Sequence, residues 1–356
     1  MTTFVQLHLL THYGPANLNR DDTGRPKTVM MGGAERLRVS SPAIKRAVRT
    51  SAAFAEPLSA HIGTRTKRMA EEVFKQLIAA GRDEKEAVEI ARQIAEVFGK
   101  PQKEGGEHPI YTEQLVHLAP GERDAIAALG ERILAGESPE ISDDLLTQQT
   151  SAVDIALFGR MLAAKPAFNV EAAAQVAHAL TTHAVGVEDD YFTAVDDLNT
   201  FQEDRGAGHV GERGFGAGVF YLYVCLNTDL LVENLGGNTD LAGRAARHLV
   251  EALATTSPSG HQNSFASRSY ASYIMAERGN AQPRQLSAAF LKPVRGQDVM
   301  AASIRELKTT KESLDACYGL QTLEWAEMNA HDGPSGSLAD IAAFAGEAVQ
   351  AAQGAA

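Results

Sequence analysis

Cysteine is nearly absent from this chain of 356 residues: Cys225 and Cys317 are the only two. Set far apart in apolar stretches, they supply neither a disulfide framework nor a zinc set. Both read as free, partly buried thiols of a cytoplasmic protein. Tryptophan occurs once, and aromatic residues make up 6%. No apolar run approaches the ~20 residues that a membrane helix needs. Met1–Leu10 has neither a basic start nor a long apolar core, so it does not read as a secretory leader. No Walker A sequence and no nucleophile elbow occur. Positive charge is scarce: 33 Lys/Arg stand against 45 Asp/Glu, a net charge of −12. That balance argues against a protein that is basic throughout. What remains, 44% hydrophobic and 22% charged, is an ordinary soluble composition that fills one or two domains.

The scarce positive charge is concentrated. Between Arg20 and Arg68 stand eleven Lys/Arg and four Asp/Glu, a balance of +7 within an acidic chain. Such a local reversal of sign suits a polyanion. Its centre is Arg36-Leu37-Arg38-Val39-Ser40-Ser41-Pro42-Ala43-Ile44-Lys45-Arg46-Ala47-Val48-Arg49. Ser41 is expected as the N-cap with Pro42 in the first helical position. Ile44, Val48 and Ala55, with Ala47 beside them, would face a core, while Lys45 and Arg49 project together one turn apart and Arg46 flanks them. Serine hydroxyls, helix N–H groups and cations make a phosphate site. The plainer alternative is a solvated, capped helix face.

Thr3–Thr11 reads as a first strand ended by Gly14-Pro15, with a long loop over 15–40 behind it. Met69, Val73, Phe74, Leu77 and Ile78 form a helical stripe stopped by Gly81. Asp83 caps a second helix ending at Gly99, and Glu122–Leu134 is a third. Strand character returns at Ala152–Phe158 and Ala174–His183. Val219–Leu226 suits a central strand buried on both faces. Asn238 caps a helix with Leu241, Ala245, Leu249 and Leu253 on one side. Ser264–Met275 reads as another strand, and helices follow near 297–316 and 337–352. Setting aside a mainly helical insertion at 57–178 leaves strand, helix, strand, strand, helix, strand. That order is ferredoxin-like, an α+β architecture of the RNA-recognition type.

Other signals are weaker. Gly206-Ala207-Gly208-His209-Val210-Gly211 matches a dinucleotide fingerprint, but an acidic stretch precedes it and more glycines follow, so it reads as a loop. His178 and His183 share no face of a strand or helix and read as satisfied structural histidines. Asp21 and Asp22 leave two readings open: a metal-assisted catalytic pair, or a loop stabiliser. Between Gly186 and Arg213 lie eight acidic and two basic residues. This arm carries an aromatic centre at Tyr191-Phe192-Thr193-Ala194-Val195, read either as a wedge that stacks on bases or as a hairpin tip packed on its own core.

Several of these segments resemble the CasC family, the guide-RNA-binding backbone subunit of the type I-E CRISPR Cascade complex. They are Leu18-Asn19-Arg20-Asp21-Asp22, Gly32-Gly33, the basic helix, Val153-Asp154-Ile155-Ala156-Leu157-Phe158-Gly159-Arg160-Met161, Ala177–His183, Tyr191–Leu198, Gly218–Tyr221 and Glu233–Gly237. The resemblance implies a hand: a palm at 1–56 and 179–356, helical fingers at 57–178 and a thumb at about 187–217. It implies a non-catalytic protein without a cofactor that polymerises head to tail on CRISPR guide RNA. Each thumb displaces a base at a regular interval, and the bases between are shown to target DNA. The implied partners are further copies and the large, small, CasD-like and CasE-like subunits. By position, Lys45 and Arg49 would hold phosphates with Arg20, Ser40, Ser41 and Arg46 in support. Phe192, Thr193 and Val195 would form the wedge, and Met161 and Val210 would pack on neighbouring bases. Arg49, Tyr191 and Val210 depart from the expected lysine, tryptophan and leucine. Type III relatives cut target RNA with a palm-loop aspartate, so the resemblance keeps an endoribonuclease alternative at Asp21 and Asp22.

Overall fold

Residues 2–194, 209–320 and 323–354 are described by the computed structural model of the chain. Its first strand, β1 (Phe4–Ala16), outruns the expected Thr3–Thr11. Gly14-Pro15 does not end it. Tyr13 still pairs with Gly218, and Ala16 with Gly216, on either side of an irregularity. The stretch expected as a loop holds a hairpin, β2 (Thr28–Met31) and β3 (Ala34–Val39). Gly32 and Gly33 form its turn at φ +60 and +74, a left-handed pair that glycine adopts without penalty. Then α1 (Ser41–Arg49) begins one residue early, with Ser40 and not Ser41 in the cap position. Ala55 belongs to a separate turn, α2 (Ala52–Ala55), so Ile44 and Val48 alone make the buried face of α1.

The middle of the chain contributes β4 (Thr64–Thr66), α3 (Glu71–Ala79), α4 (Glu84–Phe98), β5 (Val116–Leu118), α5 (Pro120–Leu134) and α6 (Val153–Phe158). Asp83 caps α4 as expected, accepting from the N–H groups of Lys85 and Glu86. These elements have a core of their own, in which Val73, Leu77, Ala91, Ile94, Phe98 and Leu129 meet. The segment expected as a strand at Ala152–Phe158 is the helix α6. Val153–Leu157 is buried on every side, Asp154 included, and so short a fully buried run has no period to tell helix from strand.

The rest is β6 (Ala174–Val176), β7 (Ala179–Thr181), β8 (Glu188–Ala194), β9 (His209–Asn227), α7 (Thr228–Asn234), α8 (Thr239–Thr255), α9 (Gln262–Phe265), β10 (Ala271–Gly279), α10 (Val299–Tyr318), β11 (Glu324–Asn329) and α11 (Leu338–Gly354). The single strand expected over 174–183 is two short ones, and the one expected from Ser264 starts only at Ala271. Asn238 caps α8 by accepting from Leu241 N–H. Strands run β11-β10-β1-β9-β7-β3-β2, all antiparallel, with β6 and β8 also on β9. Alternate residues of the central strands feed two cores. Leu7, Leu9, Phe220, Val224 and Ile274 pack under α1, α8 and α11, and Leu10, Tyr221, Tyr273 and Met275 pack under Phe290 and α10. Val219–Leu226 is thus apolar throughout because both its faces are covered.

A polar cluster pierces the second core. His8 Nδ1 lies 2.9 Å from Tyr221 Oη and Nε2 3.3 Å from Glu277, while Glu277 also meets Arg284 at 3.0 Å and Lys311 at 3.6 Å. Burial pushes Glu277 up, but hydrogen bonds and charge from His8 and Arg284 outweigh it and hold the carboxyl at about 2. Cys225 is buried and Cys317 exposed; the expectation of two partly buried thiols fails because Cys317 sits on the outer side of α10. Among the described residues no helix is long and apolar enough to cross a membrane.

Candidate nucleic-acid interface

Successive residues of α1 turn by ~100°, which divides the helix into three sides. Ile44 and Val48 enter the core. Ala43, Arg46, Ala47 and Thr50 line a cleft of ≈ 560 Å³ whose other walls are the 18–24 loop and the 258–260 turn. Lys45 and Arg49 point elsewhere, towards α6: Lys45 Nζ stands 5.8 Å from the Phe158 ring centroid, and Arg49 lies 3.8 Å from Asp154. The expected phosphate residues are therefore split. Arg20 and Arg46 share the open cleft, and Lys45 and Arg49 are half-buried beside it. Ser40 offers no side-chain cap; its backbone N–H donates to Asn19 Oδ1 at 2.9 Å, which ties the loop to the start of the helix. Arg36 is lost to the site. It is fully buried, donating to the carbonyls of Thr181 and Phe290 at 3.1 and 2.9 Å.

The loop that forms the far wall is closed on itself. Asp21 Oδ1 accepts from Thr23 N–H, Thr23 Oγ1 and Arg25 N–H at 2.9, 2.8 and 3.0 Å. These bonds, the hydroxyl of Thr23 first, outweigh desolvation and lower the carboxyl's pKa. The geometry is that of a loop stabiliser. The cleft lining holds Arg20 and Arg46 beside Asp21 and Asp22, and next to its 258–260 turn burial, then Arg20 and Arg213, lower the pKa of His261.

Behind Arg49 is a group of buried polar side chains that sequence reading missed. Asp154 is fully buried at the start of α6. Its Oδ2 is 2.8 Å from His117 Nε2, and its Oδ1 accepts from Gly63 N–H at 2.8 Å. Burial raises its pKa, but the His117 hydrogen bond, Gly63 and Arg49 bring the net shift below the ordinary value. Desolvation lowers Arg49, Asp154 raises it, and Arg65 and Arg46 lower it again, which places Arg65 in the same cationic neighbourhood. Six residues on, Arg160 pairs with the buried Glu122 at 2.6 Å, and Met161 beside it is 80% exposed.

The acidic arm is a hairpin. β8 pairs with the first part of β9 so that Phe192 faces Gly211, Thr193 faces Val210 and Tyr191 faces Glu212. Neighbouring strand residues point to opposite faces, so Phe192 and Thr193 do not share one. A Cβ at Gly211 would stand 2.3 Å from the Phe192 ring, and Arg213 Cζ lies 4.4 Å from that ring's centroid. Tyr191 is 67% exposed. Val195 and the fingerprint glycines Gly206 and Gly208 lie outside the described residues, as does the side chain of Val210. At its root the hairpin is held to the cleft loop: Arg25 meets Asp189 at 2.7 Å, and Asn17 Nδ2 donates to the carbonyls of Gly24 and Gly214, both at 3.0 Å. His178 Nδ1 accepts from the Arg38 guanidinium at 2.8 Å, and His183 Nε2 accepts from Val219 N–H at 3.2 Å, so each histidine has a structural partner.

Residues 5–349 match the model of a family described as CT1975-like protein. No curated protein matches the chain. Among solved structures, a chain of a "CRISPR RNA-guided surveillance complex, pre-nicking" superposes with a TM-score of 0.82 at 32% identity, over 98% of this chain and 100% of that one. A chain of a "CRISPR RNA-guided surveillance complex" superposes with a TM-score of 0.62 at 28% identity, over 98% and 99%.

Proposed function

This chain belongs to the CT1975-like protein family, and from that premise we propose that it is a guide-RNA-binding backbone subunit of a Cascade-type CRISPR surveillance complex. The observation that carries the reading is full-length superposition on a subunit of an RNA-guided complex, joined to an open cleft that presents Arg20 and Arg46 from the locally basic segment of an acidic protein. Guide RNA and the other subunits of the complex are its partners, and target DNA is read by base pairing with the guide. The protein grips backbone and shape, and sequence is left to the paired bases.

The finer assignments are part of the same proposal. The motifs from Leu18–Asp22 to Glu233–Gly237 favour the type I-E variety. Strand order β10-β1-β9-β7, with α1 and α8 on one face, supports a ferredoxin-like palm over 1–56 and 179–356. The separate core around Leu77 and Ile94 supports fingers at 57–178, and the β8–β9 hairpin supports a thumb at about 187–217. Arg20 and Arg46 take phosphates in the open cleft, with Ser40 and Ser41 at the helix start. Lys45 and Arg49 act from the side of α6. Phe192, Thr193 and Val195 form the wedge at the displaced base, Phe192 from one face of the hairpin and Thr193 from the other, and Met161 and Val210 pack on the neighbouring bases. The subunit is non-catalytic and works in the cytoplasm: the three hydrogen bonds at Asp21 Oδ1 favour the loop-stabilising reading over an endoribonuclease.

The test is co-expression of a tagged chain with a guide RNA array and the other Cascade subunits. A multi-copy complex carrying one RNA of defined length is expected, and complementary RNA should stay intact on it in Mg²⁺. An RNA-free monomer overturns the reading.

A further inference from the structure

The cleft at Arg46 does not end there. A second cleft of ≈ 460 Å³ continues past the end of α1 and shares Ala47, Thr50 and Ser259 with the first. Its walls carry Ser51, Thr256, Gln262, Arg268 and Tyr270, with no carboxylate among the lining residues. The Arg268–Tyr270 wall is fixed in place. Ser269 N–H donates to Ser257 Oγ at 2.9 Å, Ser257 Oγ donates to Ser269 O at 3.2 Å, and Ser269 Oγ donates to His12 O. Arg268 and Tyr270, on either side of Ser269, both line this cleft. Tyr270 is 71% exposed, and Arg268 is exposed and enters no ion pair among the described residues.

An aromatic ring held in water beside an arginine, on a wall lined with hydroxyls and an amide, matches the parts of one nucleotide. The ring offers a stacking surface for a base, the guanidinium a partner for a phosphate, and the hydroxyls partners for ribose and base edges. We infer that this second cleft is a nucleotide subsite that lengthens the RNA path, with a guide base stacked on Tyr270 and its phosphate on Arg268. The inference rests on the RNA-binding reading and on the continuity of the two clefts around Thr50. It makes Tyr270, which no nucleic-acid motif marks, a determinant of grip without sequence preference.

The experiment is anisotropy of fluorescein-labelled oligouridylate against the purified full chain over a salt series. Tyr270→Ala should weaken binding roughly five- to hundredfold, and Tyr270→Phe, which keeps the ring, should stay within about twofold of the parent. Arg268→Ala should reduce the slope of log affinity against log salt by about 0.7. Arg46→Ala serves as the control for the first cleft. If it weakens binding while Tyr270→Ala and Arg268→Ala change nothing, the subsite is wrong and the RNA reading stands. If Arg46→Ala is also silent, both clefts lie off the RNA path and the subsite falls with them; if the parent chain itself binds no oligouridylate, the RNA reading fails. A Tyr270→Ala chain that holds hexauridylate normally but loads fewer copies on a long RNA overturns the subsite in favour of a contact between subunits.

Discussion

Arg36, Arg46 and Arg49 lie within fourteen residues of sequence and carry the same charge, but the fold gives each a different task. Arg46 stands in the open cleft with Arg20, so Arg46→Ala should lower the salt slope of RNA binding by about 0.7 and leave stability within about 0.5 kcal/mol. An unchanged slope would remove Arg46 from the phosphate path. Arg36 bridges two buried carbonyls from distant segments. Its truncation should destabilise the chain by about 3 kcal/mol in urea unfolding, because both acceptors lose their donors in a dry core. Sequence placed all three in one basic cluster. Helix periodicity made Lys45, Arg46 and Arg49 readable as a group, since they ride one regular element. Nothing local marks Arg36 as buried, because its acceptors, Thr181 and Phe290, lie far along the chain.

Elements with a clear period or cap were legible: α4 behind Asp83, α8 behind Asn238, and the apolar run in the second half of β9. Those buried on all sides, or defined by pairing with remote strands, were not. α6 read as a strand, and the β2–β3 hairpin was hidden among charged residues whose partners lie elsewhere in the sheet. α6 is also where the two larger cores are tied together, through Asp154 to His117, Gly63 and Arg49. Asp154→Asn removes the charge from a buried pair and should cost about 3–5 kcal/mol. Hydrogen exchange should speed up at Gly63 and in β5, and equal protection in variant and parent would sever this link. In the proposed thumb, Phe192→Ala with Val195→Ala should leave the subunit folded but disturb the regular base displacement. Unaltered chemical reactivity of guide bases in the mutant filament would count against the wedge.

At the scale of the whole molecule, acid resistance depends on the cluster in the second core. Glu277 titrates at about 2 in the folded chain against an ordinary 4.5, so its contribution is complete above about pH 5 and is lost as pH falls towards 2. For that one group the loss is roughly 3 kcal/mol, and Glu277→Gln should flatten the stability curve over this window while lowering it at pH 7. Parallel curves for the two chains would assign acid sensitivity to other carboxylates. The same sheet contains β9, whose 19 residues begin in the hairpin and end beneath the helices that cover the sheet. At ~3.3 Å per residue it is a beam of roughly 60 Å with no break between the part that reaches out and the part that is anchored. Gly214, Gly216 and Gly218 let Pro26, Leu37 and His183 close against one side of it and clamp its root. A beam fixed in this way works as a ruler. Each subunit should measure off the same stretch of RNA whatever the bases are, so guides should be occupied in whole increments, and a guide lengthened by less than one increment should gain slack and not a subunit.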